Sequence, residues 1–194
     1  MGRLISRVDG RYLIAFGFTT LSVALYHMSR TIYPGMDFHT AMMLRIYQSI
    51  GIAFLFVPIN TVAYVGVPPS KSNQVSGILN LSRNMGGDIG IALVTTLIAR
   101  RSQWHQEHLV SNIDPGNHIL LARLQGIAQS LQHAGMSATT ATKQAYAAVY
   151  RQVIQQAQTL AYLDVLFILA CFTAVMVPLV LLTRRAARGP TMVH

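Results

Sequence analysis

Between Val75 and Ala99 the chain is long and apolar enough to fill a membrane, yet Asn80, Arg83, Asn84 and Asp88 interrupt it. At about 100° of turn per residue, Ser76, Asn80, Asn84 and Asp88 advance in steps of four along one side of a helix. Arg83, Gly77, Gly87 and Thr95 fall in the same arc of about 140°. Ile78, Leu81, Met85, Ile89, Leu93 and Leu97 occupy the opposite arc. An ionisable side chain at membrane depth costs at least about 2.5 to 3.5 kcal/mol on insertion scales, so it faces protein or a water-filled cavity. One cation, one anion, two amides and a hydroxyl on a common arc offer charge and hydrogen bonds to a passing solute. Ser76, Asn80, Arg83, Asn84 and Asp88 are therefore candidates to line a substrate pathway. Five residues apart, Arg83 and Asp88 point about 140° away from each other, which argues against a direct pair. Asp88 is within reach of Asn84, whereas Arg83 must find its partners on another helix or in water.

Bond-making chemistry has weaker support. His105 and His108 share a helical face, but two ligands fall short of the three that catalytic zinc takes from protein or the four of structural zinc. With Glu107 between them they do not form the H-E-x-x-H pattern of metalloproteases. No Ser, Cys or Thr stands in a recognisable nucleophile context. A membrane enzyme using these outer histidines is the reading set aside; no catalytic residue, metal or cofactor is expected. The single cysteine, Cys171, lies inside an apolar run, so no intramolecular disulfide is possible.

The elements that would position the polar arc follow from composition. Of 194 residues, 52% are hydrophobic and 11% charged, and the mean hydropathy is +0.41, which places the chain among membrane proteins. A hydrocarbon core of about 30 Å takes about 20 mostly apolar residues. Four segments qualify: 12–28, 41–67 with an internal Arg45, 75–99, and 161–183. The first is not a secretory signal, because its apolar run ends in His27, Met28, Ser29 and Arg30 rather than in a small-residue cleavage site. The net charge of +9 reflects orientation rather than nucleic-acid binding. Arg3, Arg7, Arg11, Lys71, Arg184, Arg185 and Arg188 all fall on one side of a four-span arrangement, so both termini are expected in the cytoplasm.

Residues 1–100 thus hold a basic lead-in and three spans, 101–158 an outer helical loop, and 159–194 the last span and a basic tail. Pro34 and Gly35 make a tight outer turn, and Pro68 with Pro69 stops the second span. The short inner loop that follows makes spans two and three antiparallel neighbours. In the outer loop, Leu120, Leu121, Leu124, Ile127 and Leu131 recur at helical spacing until Gly135, and a second amphipathic stretch starts at a cap, Ser137. Nothing breaks that stretch before Ala161, so it is expected to run into the last span. The loop reads as a helical hairpin capping the outer face.

Several residues have structural readings. Gly86 and Gly90 form a small-xxx-small pair for close helix packing. Gly77 and Gly87, on the polar arc, allow close approach of a helix or ligand. Gly51 and Pro58 belong to the packing of span two, and Asn60 and Thr61 are placed to satisfy the proline kink. Arg45 and Gln48 lie near the outer end, where a long side chain snorkels. Asp164 is interfacial.

The segments GRLISRVDGRYLIAFGF, YPGMDF, YQSIGIAFLFVPINTVAYVGVPPSKSNQVSGILNLSRNMGGDIGIALVTTLIARR and HQEHL resemble the C-terminal part of EmrB/QacA-type multidrug exporters, fourteen-span members of the major facilitator superfamily. The resemblance covers essentially the whole chain and is most specific over residues 47–101. It implies an all-α membrane protein whose four transmembrane helices are the last four of a C-terminal bundle. It further implies proton-coupled export of drugs, fatty acids or similar amphiphiles across the bacterial inner membrane, with a periplasmic adaptor and an outer-membrane channel as partners in Gram-negative members. On that frame the chain starts in the cytoplasmic loop before the eleventh span. The N-terminal spans and their acidic proton-coupling residues lie outside it, and the piece is not transport-competent alone. Asp88 stands where such exporters commonly have a small residue after the paired glycines. The alternative is an independent four-span protein acting as a homo-oligomeric small exporter or an interaction subunit.

Overall fold

The computed structural model describes residues 9–111 and 118–182. They form five α-helices: α1 (Gly10–Thr31), α2 (Phe38–Ala63), α3 (Ser72–Ser111), α4 (His118–His133) and α5 (Ala138–Leu182), with a single 3-10 turn at Pro69–Lys71. The chain is an all-α membrane protein. Three helices, α1, α2 and α5, are long and apolar enough to cross a membrane. The expected span 75–99 lies within α3, which does not reach that level of apolarity among the described residues. The amides, Arg83 and Asp88 of its polar arc are the reason.

The described residues divide into two compact units, one holding the chain up to Val94 and from Leu163 onward, the other Thr95–Tyr162. In the first unit α1 and α2 form a hairpin. Gly35, at φ +86°, supplies the left-handed residue of its turn. Asp37 caps α2, its carboxylate accepting from the backbone N–H of His39 at 3.1 Å and of Thr40 at 3.3 Å. The buried residues of α2 are Leu44, Gly51 and Pro58, seven apart, which makes a single seam along the helix. A Cβ on Gly51 would stand 2.8 Å from the backbone nitrogen of Leu21, and one on Gly17 would stand 2.9 Å from the Leu55 side chain. Both glycines therefore set how closely the two helices approach. Phe16 and Phe54 meet edge to face at 5.1 Å.

The C-terminal part of α5 completes this unit. Leu25, Met28, Leu44, Leu166 and Ala170 form its core, with Leu21, Ile32, Met36 and Leu169 against them. The Ser22 hydroxyl donates to the Ala170 carbonyl at 2.8 Å, joining α1 to α5. Most other hydroxyls serve their own helix. Thr19, Thr20, Thr31, Thr61 and Thr173 each donate to the carbonyl four residues earlier, at 2.8 to 2.9 Å.

The helix of span two lies a few residues nearer the N-terminus than the expected 41–67, at Phe38–Ala63. The helix stops at Ala63, a turn follows through Gly66 at φ +76°, and Pro68 is already extended. The prolines thus fix the start of α3 rather than the end of α2.

In the second unit the stretch expected as an outer helical loop from residue 101 opens with the end of α3, which continues to Ser111. Helix α4 ends in a Schellman motif at Gly135, φ +92°, with Met136 N–H donating to Leu131 O at 3.1 Å and Gly135 N–H to Gln132 O at 2.9 Å. Ser137 caps α5 as its position suggests, its hydroxyl oxygen accepting from Thr140 N–H at 3.4 Å. Helix α5 then runs unbroken to Leu182, so the second amphipathic stretch and the last span are one helix. Ala141, Ala145, Ala157 and Ala161 are its most buried residues in this unit, and Gln106 Nε2 donates to the Tyr150 hydroxyl at 2.9 Å.

Candidate functional site

Helix α3 carries the candidate residues, and none of its residues is buried. Asn80, Arg83, Asn84 and Asp88 are exposed and Ser76 is half-buried. The apolar arc is equally uncovered, with Ile78, Leu81, Met85, Ile89 and Leu93 all exposed. Gly77, Gly86, Gly87 and Gly90 have no atom within 4 Å of the place a Cβ would take. Close helix packing at Gly86 and Gly90 is therefore not made among the described residues. Among the described residues the close approaches belong to Gly10, Gly17 and Gly51.

Arg83, on this arc, has a built environment. The Arg83 guanidinium donates through Nη2 to Oδ1 of Asn60 on α2 at 3.0 Å. It also lies over the Phe56 ring, with Cζ 5.0 Å from the centroid. Asn60 is itself held, since its Nδ2 donates to the Phe56 carbonyl at 2.6 Å. Helical side chains lean toward the N-terminus of their helix. For Arg83 that direction is the end joined to α2 by the short inner loop, which brings the guanidinium to Asn60. Arg83 thus finds its partners on another helix, as the angle from Asp88 requires. Asp88 accepts no hydrogen bond from Asn84 or any other described residue.

The reading of Asn60 and Thr61 needs correction. Pro58 leaves the carbonyl of Phe54 without its helical donor. Asn60 donates to the Phe56 carbonyl and Thr61 to that of Val57 at 2.9 Å, so neither serves the residue that the proline frees. Asn60 instead bridges its own helix to Arg83. Sequence periodicity missed this link, although the short loop between the helices already made α2 and α3 neighbours.

Other polar groups are placed locally. Arg45 Nη1 donates to Gln48 Oε1 at 2.9 Å on the exposed side of α2. Thr19, Thr20, Val23, Ala24 and His27 of α1 and Tyr47 of α2 line a cleft of about 470 Å³. In the second unit Trp104 stacks with His108 at 4.2 Å and meets His105 edge-on at 4.8 Å. Among the described residues no three His, Cys, Asp or Glu side chains gather as a metal site would require.

Known proteins resemble this chain in sequence. The multidrug export protein EmrB of Escherichia coli K12 is 29% identical over 137 residues, which is 69% of this chain and 27% of that protein. The probable multidrug resistance protein EmrY of the same strain is 31% identical over 119 residues, 61% of this chain and 23% of its own length. The fatty acid resistance protein FarB of Neisseria gonorrhoeae is 26% identical over 151 residues, 75% of this chain and 29% of its own. The chain thus spans about a quarter of the length of the curated relatives it matches. No family model and no solved structure matches it. Across most of its length, this chain is similar in sequence to EmrB-type multidrug export proteins.

Proposed function

We propose that the chain is the C-terminal part of a proton-coupled exporter of drugs or other amphiphiles, supplying its last four spans and depending on the preceding spans for transport. The observation that carries this reading is helix α3. It is related in sequence to multidrug export proteins, yet it leaves both a polar and an apolar arc uncovered within this chain. Such a helix is stable in a bilayer only where further protein covers it or a polar cavity adjoins its charged side. On this reading Ser76, Asn80, Arg83, Asn84 and Asp88 face the substrate path, and Gly86 and Gly90 receive helices contributed by the earlier spans. The assembled protein lies in the bacterial inner membrane with both termini of this chain cytoplasmic. A periplasmic adaptor and an outer-membrane channel extend the route. The activity is movement of an amphiphilic solute, with no bond made or broken.

Two experiments test it. Coding sequence for further spans is expected upstream of Met1, in frame or across a frameshift; an unrelated gene ending just before a good ribosome site favours an independent four-span protein instead. In the full-length exporter, Arg83→Ala is expected to lower efflux at unchanged expression. Unaltered drug resistance would show that Arg83 is dispensable for transport.

A further inference from the structure

Trp104 is the sole tryptophan of the chain, and it stands where α3 changes character. Arg101, Trp104, His105 and His108 share one face of the helix, and that face leads inward to Leu97 and Leu93. The side of α3 that is apolar up to Leu97 thus turns cationic and aromatic within one turn. The indole gathers its neighbours. His108 stacks on it at 4.2 Å, His105 meets its edge at 4.8 Å, and Arg101 Cζ lies 6.0 Å from its centroid.

Helix α5 changes at the matching level. Gln106 on α3 donates to the Tyr150 hydroxyl on α5. With α3 running outward and α5 inward, equal steps from that bond toward the bilayer reach Arg100 on α3 and Gln156 on α5. Beyond them both helices become mostly apolar, through Ile98 and Leu97 on one and from Leu160 on the other. Tryptophan, apolar in body with one polar edge, is enriched at membrane–water interfaces. A guanidinium beside it matches phosphate. Helical side chains lean toward the N-terminus of their helix, which for an outward-running α3 is toward the bilayer. The composition of this face, rather than its openness, marks it for the membrane surface.

We infer that Arg101 and Trp104 anchor α3 at the outer face of the bilayer by binding a phospholipid headgroup. The guanidinium takes the phosphate, the indole sits among the glycerol and upper acyl carbons, and His105 and His108 position the ring. This rests on the reading that α3 crosses the membrane, and it adds the lipid contact that ends the crossing. Trp104 lies about 20 Å beyond Gly90 along α3. A helix crossing at Gly86 and Gly90 at about 40° has diverged from α3 by that level, so the anchor does not compete with it.

The tryptophan is its own reporter. With the full chain in phosphatidylcholine nanodiscs, lipids carrying a nitroxide near the headgroup should quench Trp104 emission roughly twofold or more beyond lipids labelled deep in the acyl chain. Stronger quenching by the deep label overturns the inference, as does quenching by neither. Labelling of single cysteines at Ser70 and Ser130 separates the failures. Opposite faces leave α3 a span without this anchor, and one face overturns the crossing as well. Shallow-labelled phosphatidylglycerol should quench better than its phosphatidylcholine counterpart, a preference that Arg101→Gln lowers by up to roughly fivefold and Arg101→Lys retains. No preference, or one unmoved by Arg101→Gln, overturns the phosphate contact. In the full-length exporter, a benzophenone amino acid in place of Trp104 should cross-link to phospholipid. Cross-links to other spans instead overturn the inference.

Discussion

The α1–α2 hairpin and helix α3 use the same small residues to opposite ends. Gly17 and Gly51 sit where a methyl group would strike Leu55 or the Leu21 backbone, whereas Gly77, Gly86, Gly87 and Gly90 face open space. In membranes small residues matter through the backbone approach they permit, since apolar contact gains little over lipid. The hairpin has already made its approach. Helix α3 has the residues for one but no described helix at those glycines, and its contact with α2 runs through Arg83, to Asn60 and the Phe56 ring. Glycine spacing therefore reports a capacity to pack, and only a second helix turns it into a contact.

The contrast can be broken most sharply by topology. With Cys171→Ala as background, single cysteines at Ser70 and Ser130 should be labelled from opposite faces of the membrane. Labelling from one face would mean that α3 does not cross, and that its exposure is ordinary solvation. Next in size, Gly51→Ala must displace backbone, and overpacking of that kind costs about 1 to 3 kcal/mol. Thermal unfolding in detergent should register it as a clear loss, and an unshifted melting curve would mean the hairpin is looser than described. Removing the Ser22 hydroxyl breaks a bond between helices, which in membranes averages about 0.6 kcal/mol. Ser22→Ala should accordingly melt slightly earlier than the parent. The Arg83 link is exposed, so Asn60→Ala should cost no more than about 1 kcal/mol. Gly87→Ala, by contrast, should cost nothing and be neutral or slightly stabilising in this chain, because helix propensity rises and nothing is struck. A large loss at Gly87 would reveal a contact absent from this description.

Much of the helical order was legible in the sequence. Hydropathy over 12–28 and 41–67 marked the helices that run over 10–31 and 38–63, and the Ser137 cap and Gly135 stop stood out because turn chemistry is local. The ends of α2 and α3 were less visible. Proline at 68 forbids helix there but does not say how many residues earlier the helix yields, and α2 stops at Ala63. Arg100 and Arg101 mark departure from the apolar region, yet the residues after them are good helix formers and α3 continues to Ser111. Periodicity placed Arg83 on a polar arc of its own helix. It could not supply the partner, because the register between two helices depends on loop geometry and on how far a side chain leans.

The hydroxyl pattern bears on how the chain enters the membrane. Thr19, Thr20 and Thr31 of α1 and Thr61 of α2 each donate to a carbonyl of their own helix, so these four hydroxyls are satisfied before any other helix arrives. Helix α3 has no such independence, since the guanidinium of Arg83 finds its acceptor on Asn60. Synthesis proceeds from the N-terminus, and Asn60 has emerged before Arg83 does. On the proposed reading of α3 as a span, the helix made just ahead of it supplies the polar partner that its guanidinium needs away from water.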